Sequence, residues 1–587
     1  DPHDKVVKQV MAYASSNYEL TINVSGDLQP GDYRVYLHNT RGNELGWSEA
    51  VDVQVRTQEP WPDRRIDART GGVVGDGLAD DTAALQQVMD ECARAGGGTV
   101  RLPAGTFLIS DTLRIPPDVW LRGAGMDSTR IQFDTSVPFV KGKKRAVLWG
   151  TTRFRLTDLS VLSGPATVRG LVISNDDGPA EDCLIRRCRF KALVTQDTPW
   201  NQGVLFNLPW VMPKHPILNC EISDCDVEAT YSIFLSSAKR CRVVRNRLAH
   251  TQMPMACWSM VECLIEGNYF VPTGLRETSP HGPMLMAKTG YFGGVVGNVF
   301  RANVGGHHRP GTVGPRNVGE AFAFDCLANV EKAVLYTRVA RASADSVTFA
   351  EAEVKPDSLR DMTAFIVSGK GVGQVRVVTA NDATKATVDP DWNIIPDETS
   401  MFCITRTFRG NMILRNMFAD AGSCFIWGRG FHNIFALNQL DDVGFLGAVG
   451  LSWRTDDRPN PCFFNEFNEN WLNYRYARGG GAGVISGNYR DAFAPPLPGP
   501  LCYGTILRAN KITGGGDALK VALGGRDQLK HEGTLAWDTL FEGNELRQCK
   551  TGASICARAE GTILRANSMQ DVQTPLNDEG VDTVVLK

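Results

Sequence analysis

The 587-residue chain carries a formal net charge of −3 and is 43% hydrophobic. This ordinary globular balance excludes a disordered chain and lacks the basic surplus of a nucleic-acid binder. Its apolar runs fall far short of the roughly 20 residues of a membrane-spanning helix, and its fifteen cysteines contain no Cys-x-x-Cys pair of the kind that holds structural zinc. A chain of this length has core enough to stand without a disulfide scaffold. It opens at Asp1 rather than Met, which reads as a processed or truncated start, so a missing export signal is not evidence for the cytoplasm. A secreted, periplasmic or cell-surface location is the expectation.

Residues 1–58 read as a small β module. Tyr18-Glu-Leu-Thr-Ile-Asn-Val24 alternates, Pro30-Gly-Asp32 turns, and Tyr33 to His38 and Val51 to Val55 supply further strands, a pattern similar to part of an immunoglobulin-like sandwich. Pro60 and Pro62 mark a linker. Next, Gly75-Asp-Gly-Leu-Ala-Asp-Asp-Thr82 leads into a helix with Leu85, Val88, Met89 and Cys92 on one face. Asp80 and Asp81 suit its N-cap, and Gly96-Gly-Gly98 ends it. A strand is expected over Thr99 to Ile109. Such a helix would cover the open end of a stack of strands.

This run, from the Asp-Asp-Thr through the helix to Gly-Gly-Gly-Thr-Val and Leu-Pro-Ala-Gly-Thr-Phe, resembles the start of the pectate-lyase-like β-helix superfamily. That superfamily includes polygalacturonase-like glycoside hydrolases, polysaccharide lyases and phage tailspikes. The resemblance implies an all-β, right-handed parallel β-helix and leaves the reaction open.

The body repeats. Cys241-Arg-Val-Val-Arg-Asn-Arg-Leu248, Cys263-Leu-Ile-Glu-Gly-Asn-Tyr-Phe270, Gly293-Gly-Val-Val-Gly-Asn-Val-Phe300, Asn411-Met-Ile-Leu-Arg-Asn-Met-Phe418 and Thr539-Leu-Phe-Glu-Gly-Asn-Glu-Leu546 share one pattern. Asn246 to Asn268 and Asn416 to Asn438 are each 22 residues apart. A period in the low twenties is a β-solenoid signature, with coils stacked about 4.8 Å apart over one shared core. The recurring Asn should form an internal ladder, and Cys188 and Cys225 read as buried members of the same stack. The repeat lapses over 331–404, where alternating strands around Ser346, Thr363 and Gln374 predict a small inserted β domain. The β-helix therefore occupies 64–330 and 405–587. The Gly369-Lys-Gly-Val-Gly373 run is a turn, since no helix follows to cradle a phosphate.

Residues at equal offsets from the ladder Asn should line up on successive coils. Asp420, Asp442 and His250 each lie four residues past one, with Asp441 beside Asp442. Like charges this close raise one pKa, which suits a general acid paired with a base, although turn aspartates that bond backbone amides are the bland alternative. Gly319-Glu-Ala-Phe-Ala-Phe-Asp325 aligns by pattern with Gly422 to Gly428, which would stack Glu320 over Ser423 and bring Asp325 to Gly428-Arg429. The catalytic pool is thus Asp420, Asp442, Glu320 and Asp325, and its spacing distinguishes a retaining from an inverting glycosidase. Inversion is the preferred expectation, in part because it resembles the polygalacturonase branch. Of that branch's motifs only an Asp-Asp, here Asp441-Asp442, is present; its Asn-Thr-Asp, Gly-His-Gly and Arg-Ile-Lys are absent.

His250, His281, Lys288, His307, His308, Arg309 and Arg429 are candidate substrate-binding groups, joined by Asp441 and by Trp427 and Trp453, with Trp258 a further flat apolar face for sugar rings that core packing would explain equally well. No metal site is assigned, because the adjacent His307 and His308 make a poor chelate. No cofactor is required, and calcium is an optional ligand. Three readings follow: a glycoside hydrolase, a polysaccharide lyase eliminating across a uronate, and a carbohydrate-binding solenoid without catalysis. Carboxylates beside histidines in one segment favour an enzyme, with a polysaccharide or oligosaccharide as its partner and neither nucleic acid nor membrane.

Overall fold

The computed structural model describes residues 10–24, 26, 28–39, 46–57, 59–138, 145–164, 167, 169–192, 202–207, 214–272, 285–289, 293–306, 319–326, 335–452, 459–475, 480–488, 499–524 and 535–587. The chain divides into two compact units, Asp1–Pro62 and Asp63–Lys587. In the first, Ala12–Ser15 pairs antiparallel with Leu20–Ile22, and Gly31–Val35 with Val51–Val55.

The second unit is a parallel β-helix. Each coil visits four faces in turn, shown by Val299–Arg301 on face 1, Val304–Gly306 on face 2, Phe322–Asp325 on face 3 and Phe408–Arg409 on face 4. Each strand pairs in parallel with its counterpart one coil on: Val299 with Met412, Val304 with Met417, Phe322 with Cys424, and Phe408 with Gly430. Apolar residues alternate inward along these short strands, so side chains such as Phe435 and Phe467 meet in the interior from successive coils at 5.1 Å. The expected single strand at residues 99–109 is two, Gly98–Arg101 and Gly105–Ile109. Pro103 lies between them, where it cannot donate to a ladder and the chain turns from face 1 to face 2.

The cap helix runs Thr82–Arg94 and buries Leu85, Val88, Met89 and Cys92. Asp81 holds the N-cap position, but its carboxylate accepts the Val74 and Gly75 amides at 2.7 and 3.0 Å. Asp80 accepts the Thr82 amide instead. Gly96 and Gly97, at φ 91° and 88°, stop the helix in left-handed turns.

Two ladders, not one, line the corners on either side of face 1. In the first, each Asn side-chain amide donates to the next across Asn246, Asn268, Asn303, Asn416, Asn438, Asn470, Asn510, Asn544 and Asn567, at 2.8–3.0 Å. Cys225 heads this series, its amide donating to Asn246 Oδ1. The second joins Asn298, Asn411, Asn433 and Asn465. Cys241 donates its amide to Cys263 Sγ, and Cys263 donates its own to Asn298. Asn298 therefore belongs beside Asn411 rather than Asn416. The ladders sit five residues apart, so the Gly293–Phe300 repeat was aligned one step out of place. All fifteen cysteines are free thiols.

Between faces 3 and 4 of one coil the chain builds a closed six-stranded barrel from Leu335–Ser343, Ser346–Phe349, Thr363–Ser368, Val375–Asn381, Lys385–Asp389 and Met401–Thr405. Its Phe365 ring lies 5.3 Å from Phe463 and 6.1 Å from Phe431 on face 4. An apolar seam thus holds the barrel against the coils.

Candidate functional site

The corner between faces 2 and 3 gathers the acids. Ala419 pairs with Asp441, and Ala421 with Val443, so Asp420 and Asp442 occupy equivalent places on adjacent coils about 4.8 Å apart. Both adopt the left-handed conformation, φ 47° and 50°, which Asp tolerates better than most residues. Asp442 is buried, and its Oδ1 accepts the Arg475 amide at 2.7 Å. Asp441 points outward from face 2 and accepts the Gln439 side-chain amide at 2.9 Å. Partial burial, reinforced by the charges of Asp442 and Asp441, raises the pKa of Asp420 above the ordinary carboxyl value, with Arg475 pulling the other way. Asp420 and Asp441 are partly exposed at this corner, while the buried Asp442 is a turn acceptor and a source of charge.

A second group lies on the outer side of face 3. Trp258 pairs with Lys288, and Asp325 with Trp427. Leu285 to Ala287 runs in register with Phe322 to Phe324, so Lys288 and Asp325 follow one another and all four residues form one column over four coils. Lys288 Nζ lies 3.9 Å from Asp325 Oδ2 and 5.7 Å from the Trp258 ring centre. Burial lowers the pKa of Lys288 against the opposing pull of Asp325 and Glu320. Burial also raises that of Asp325, with Lys288 opposing and Glu320 adding.

The structure corrects the expected alignment of this coil by one residue. The pairing of Phe322 with Cys424 and Asp325 with Trp427 sets Glu320 against Gly422, not Ser423, and Asp325 beside Trp427, not Gly428. A one-residue slip exchanges the two sides of a strand, and the equal Gly-x-x-Phe spacings concealed it. Arg429 is corrected too. It is buried and its Nε donates to Asn460 at 2.7 Å, which removes it from the substrate-binding set.

The four expected catalytic acids thus fall into two neighbouring groups, Glu320 and Asp325 with Lys288, and Asp420 and Asp442 with Asp441 beside them. They adjoin where the Gly422 amide donates to the Gly319 carbonyl. His250 lies on a strand opposite Pro272, and nothing is described of its side chain. His281, His307, His308, Arg309 and Trp453 lie outside the described residues. Trp258 is buried against Phe234, and Trp427 is half-buried at 5.4 Å from Phe425. Among the described residues no cluster of three or more His, Cys, Asp or Glu could hold a metal ion, and no helix is long and apolar enough to cross a membrane.

Sequence reasoning missed Trp471 and Tyr269, the most exposed aromatic side chains of the coils among the described residues. Each directly follows a ladder asparagine, Asn470 and Asn268, and the residue at that offset faces outward on face 2. That offset was the available signal.

Residues 66–155, the cap and first coils, match the family described as rhamnogalacturonase A/epimerase, pectate lyase-like. The mannuronan C5-epimerase AlgE5 of Azotobacter vinelandii is 33% identical over 138 residues, 21% of this chain and 14% of that protein. Alginate lyase 7 of the same organism is 43% identical over 68 residues, 10% of this chain and 8% of that protein. The chain therefore matches only a small part of the length of these relatives. The solved A-module of the mannuronan C-5 epimerase AlgE4 from Azotobacter vinelandii aligns over 89% of this chain and 100% of its own, at 14% identity and TM-score 0.33. The family match is confined to the cap and first coils, and the strand pairing shows the second unit as a whole to be a parallel β-helix.

Proposed function

We propose that the protein is a carbohydrate-active enzyme that hydrolyses glycosidic bonds of a polysaccharide at the corner between faces 2 and 3. The observation that carries this reading is the convergence of three aspartates from two adjacent coils, one of them with a raised pKa. In its protonated form Asp420 delivers a proton to the departing glycosidic oxygen, and Asp441, outward on the next coil, takes a proton from the attacking water. The charge of Asp442 keeps the acid protonated to higher pH. Asp420 projects from a left-handed turn and Asp441 from an extended strand. An inverting course is the preferred reading, in which acid and base stand far enough apart to admit the attacking water.

The test is a polysaccharide panel scored for new reducing ends, with wild type beside Asp420→Asn and Asp441→Asn. Hydrolysis that falls by about a hundredfold or more in either variant supports the assignment. Unchanged turnover in both rejects it.

A second reading rests on Lys288. A lysine with a lowered pKa beside Asp325, between Trp258 and Trp427, is equipped to remove a proton next to a uronate carboxylate. That step begins both β-elimination and C5-epimerisation, the reactions named for the two Azotobacter relatives. Elimination leaves an unsaturated product that absorbs in the ultraviolet, and epimerisation incorporates solvent deuterium without cleavage. Either signal, lost in Lys288→Met, would move the reaction from the aspartate corner to face 3.

A further inference from the structure

Apart from the cap and the last coils, the exposed large apolar side chains of the β-helix, among the described residues, are Tyr269, Val304, Met417 and Trp471. They are not scattered. Tyr269 pairs with Val304, Val304 with Met417, Met417 with Gln439, and Gln439 with Trp471. Five successive coils thus present one outward column on face 2, spanning about 19 Å at strand spacing. Tyr269, at 47% exposed, closes one end and Trp471, at 55%, the other. The parallel column beside it holds Gly306, Ala419, Asp441 and Asn473, whose small members leave the apolar side chains standing proud. Gln439, inside the strip, donates to Asp441 in that second column.

Single exposed apolar residues are ordinary, but four of them in one column, broken only at Gln439, mark a binding surface. This one is a single side chain wide. A stable protein interface needs about 800 Å² on each partner, and the strip is flanked by residues already engaged in ion pairs. Arg247, beyond Tyr269, bonds Asp226 at 2.8 Å, and Lys511, beyond Trp471, lies 3.7 Å from Glu545. A narrow apolar line with aromatic ends suits a linear polymer of flat, partly apolar rings.

We propose that this strip is a stacking track for a polysaccharide chain lying parallel to the axis of the coils, with Tyr269 and Trp471 under pyranose faces on either side of Asp420 and Asp441. Tyr269 stands two coils before Asp420, and Trp471 one coil after Asp441. The track rests on the carbohydrate reading of the site and not on which bond is made or broken there. Its chemistry is that of pyranose C–H faces, which both neutral and acidic polymers offer.

The test is retardation of the full chain in native gels cast with alginate, polygalacturonate or a neutral β-glucan, the three arms separating acidic from neutral sources. At least one polymer should retard the wild type. Trp471→Ala and Tyr269→Ala should each weaken that retardation by about tenfold, while Trp471→Phe, which keeps a flat ring, should hold most of it. Both positions are exposed, so melting temperature should not move, and an unchanged melting curve certifies each variant as folded. No retardation of the wild type by any of the three overturns the track, as does equal retardation of the alanine variants. Sedimentation of the wild type as a dimer that Trp471→Ala dissolves would also overturn it, assigning the strip to a second copy of the chain. Failure of the hydrolytic reading looks different: Asp420→Asn would then retain turnover while the gel behaviour of Trp471→Ala still fell.

Discussion

Asp442 accepts the backbone amide of Arg475 through one carboxylate oxygen, at 2.7 Å, and places its charge one coil from Asp420. Asn at 442 can still accept that amide but carries no charge. In Asp442→Asn the pKa of Asp420 should therefore fall toward its ordinary value, because one of the two charges that raise it is gone. If Asp420 is the general acid, activity is lost as pH rises through its pKa, so the basic limb of the kcat/KM profile should move to lower pH. A basic limb that stays in place would remove Asp420 from the acid role.

The same shift makes stability depend on pH. The folded state binds the Asp420 proton more tightly than the unfolded chain does. Stability from this group is accordingly complete below the unfolded carboxyl pKa and declines as pH rises from there through the raised folded value. Asp420→Asn cannot ionise and escapes this loss. Its melting temperature should exceed that of wild type at neutral pH, and the gap should close in acid. Equal melting temperatures at neutral pH would mean that the Asp420 carboxyl is not held in an unfavourable setting.

The fold was legible because the coil repeats a chemical requirement. Each buried asparagine must find a partner on the next rung, and the 22-residue spacing carries that demand into the sequence. What escaped notice followed from the second ladder. Asn298 and Asn303 sit five residues apart, either fits the same local pattern, and only strand pairing separates them. The slip at Glu320 has the same origin, since Gly319 and Gly422 stand at equal distances before a phenylalanine, yet the strands pair with an offset of 102 rather than 103 residues, as Phe322 with Cys424 shows. The Asp420–Asp442 pairing was readable from the offset past each asparagine. The demotion of Arg429 was not, because its partner Asn460 is far along the chain and on another coil.

Lys288 and Asp325 should behave as a coupled pair. Both are largely withdrawn from water, and removing one leaves the other buried without compensation. Lys288→Met should destabilise the coils by about 3 kcal/mol. Lys288→Met combined with Asp325→Leu should recover much of that loss, since it removes both desolvated charges. The measurement is a double-mutant cycle in denaturant, followed on the unfolding transition of the coils. Additive losses would show that the two side chains do not depend on one another.

At the head of the first ladder a substitution should stabilise the coils rather than weaken them. Asn246 donates to the Ile222 carbonyl and to Asn268, and each later asparagine through Asn544 repeats this arrangement. Cys225 occupies the same station one coil earlier with a thiol, which reaches the Ser223 carbonyl at 3.2 Å and the Ile185 carbonyl only at 3.8 Å. An asparagine there would have the Ile185 carbonyl and Asn246 Oδ1 as acceptors, the same kind of partners used at every rung beyond. Cys225→Asn should therefore stabilise the coils by about 1 kcal/mol, the net worth of one added buried hydrogen bond. Asn438→Ala, in the middle of the ladder, should cost about 3 kcal/mol, because it leaves the Ile413 carbonyl and the Asn416 amide without the partner they have now. Equilibrium denaturation of the two variants beside wild type reads both signs at once. A destabilised Cys225→Asn would mean that the thiols heading the ladder are required for their smaller volume, and that the column narrows toward the cap.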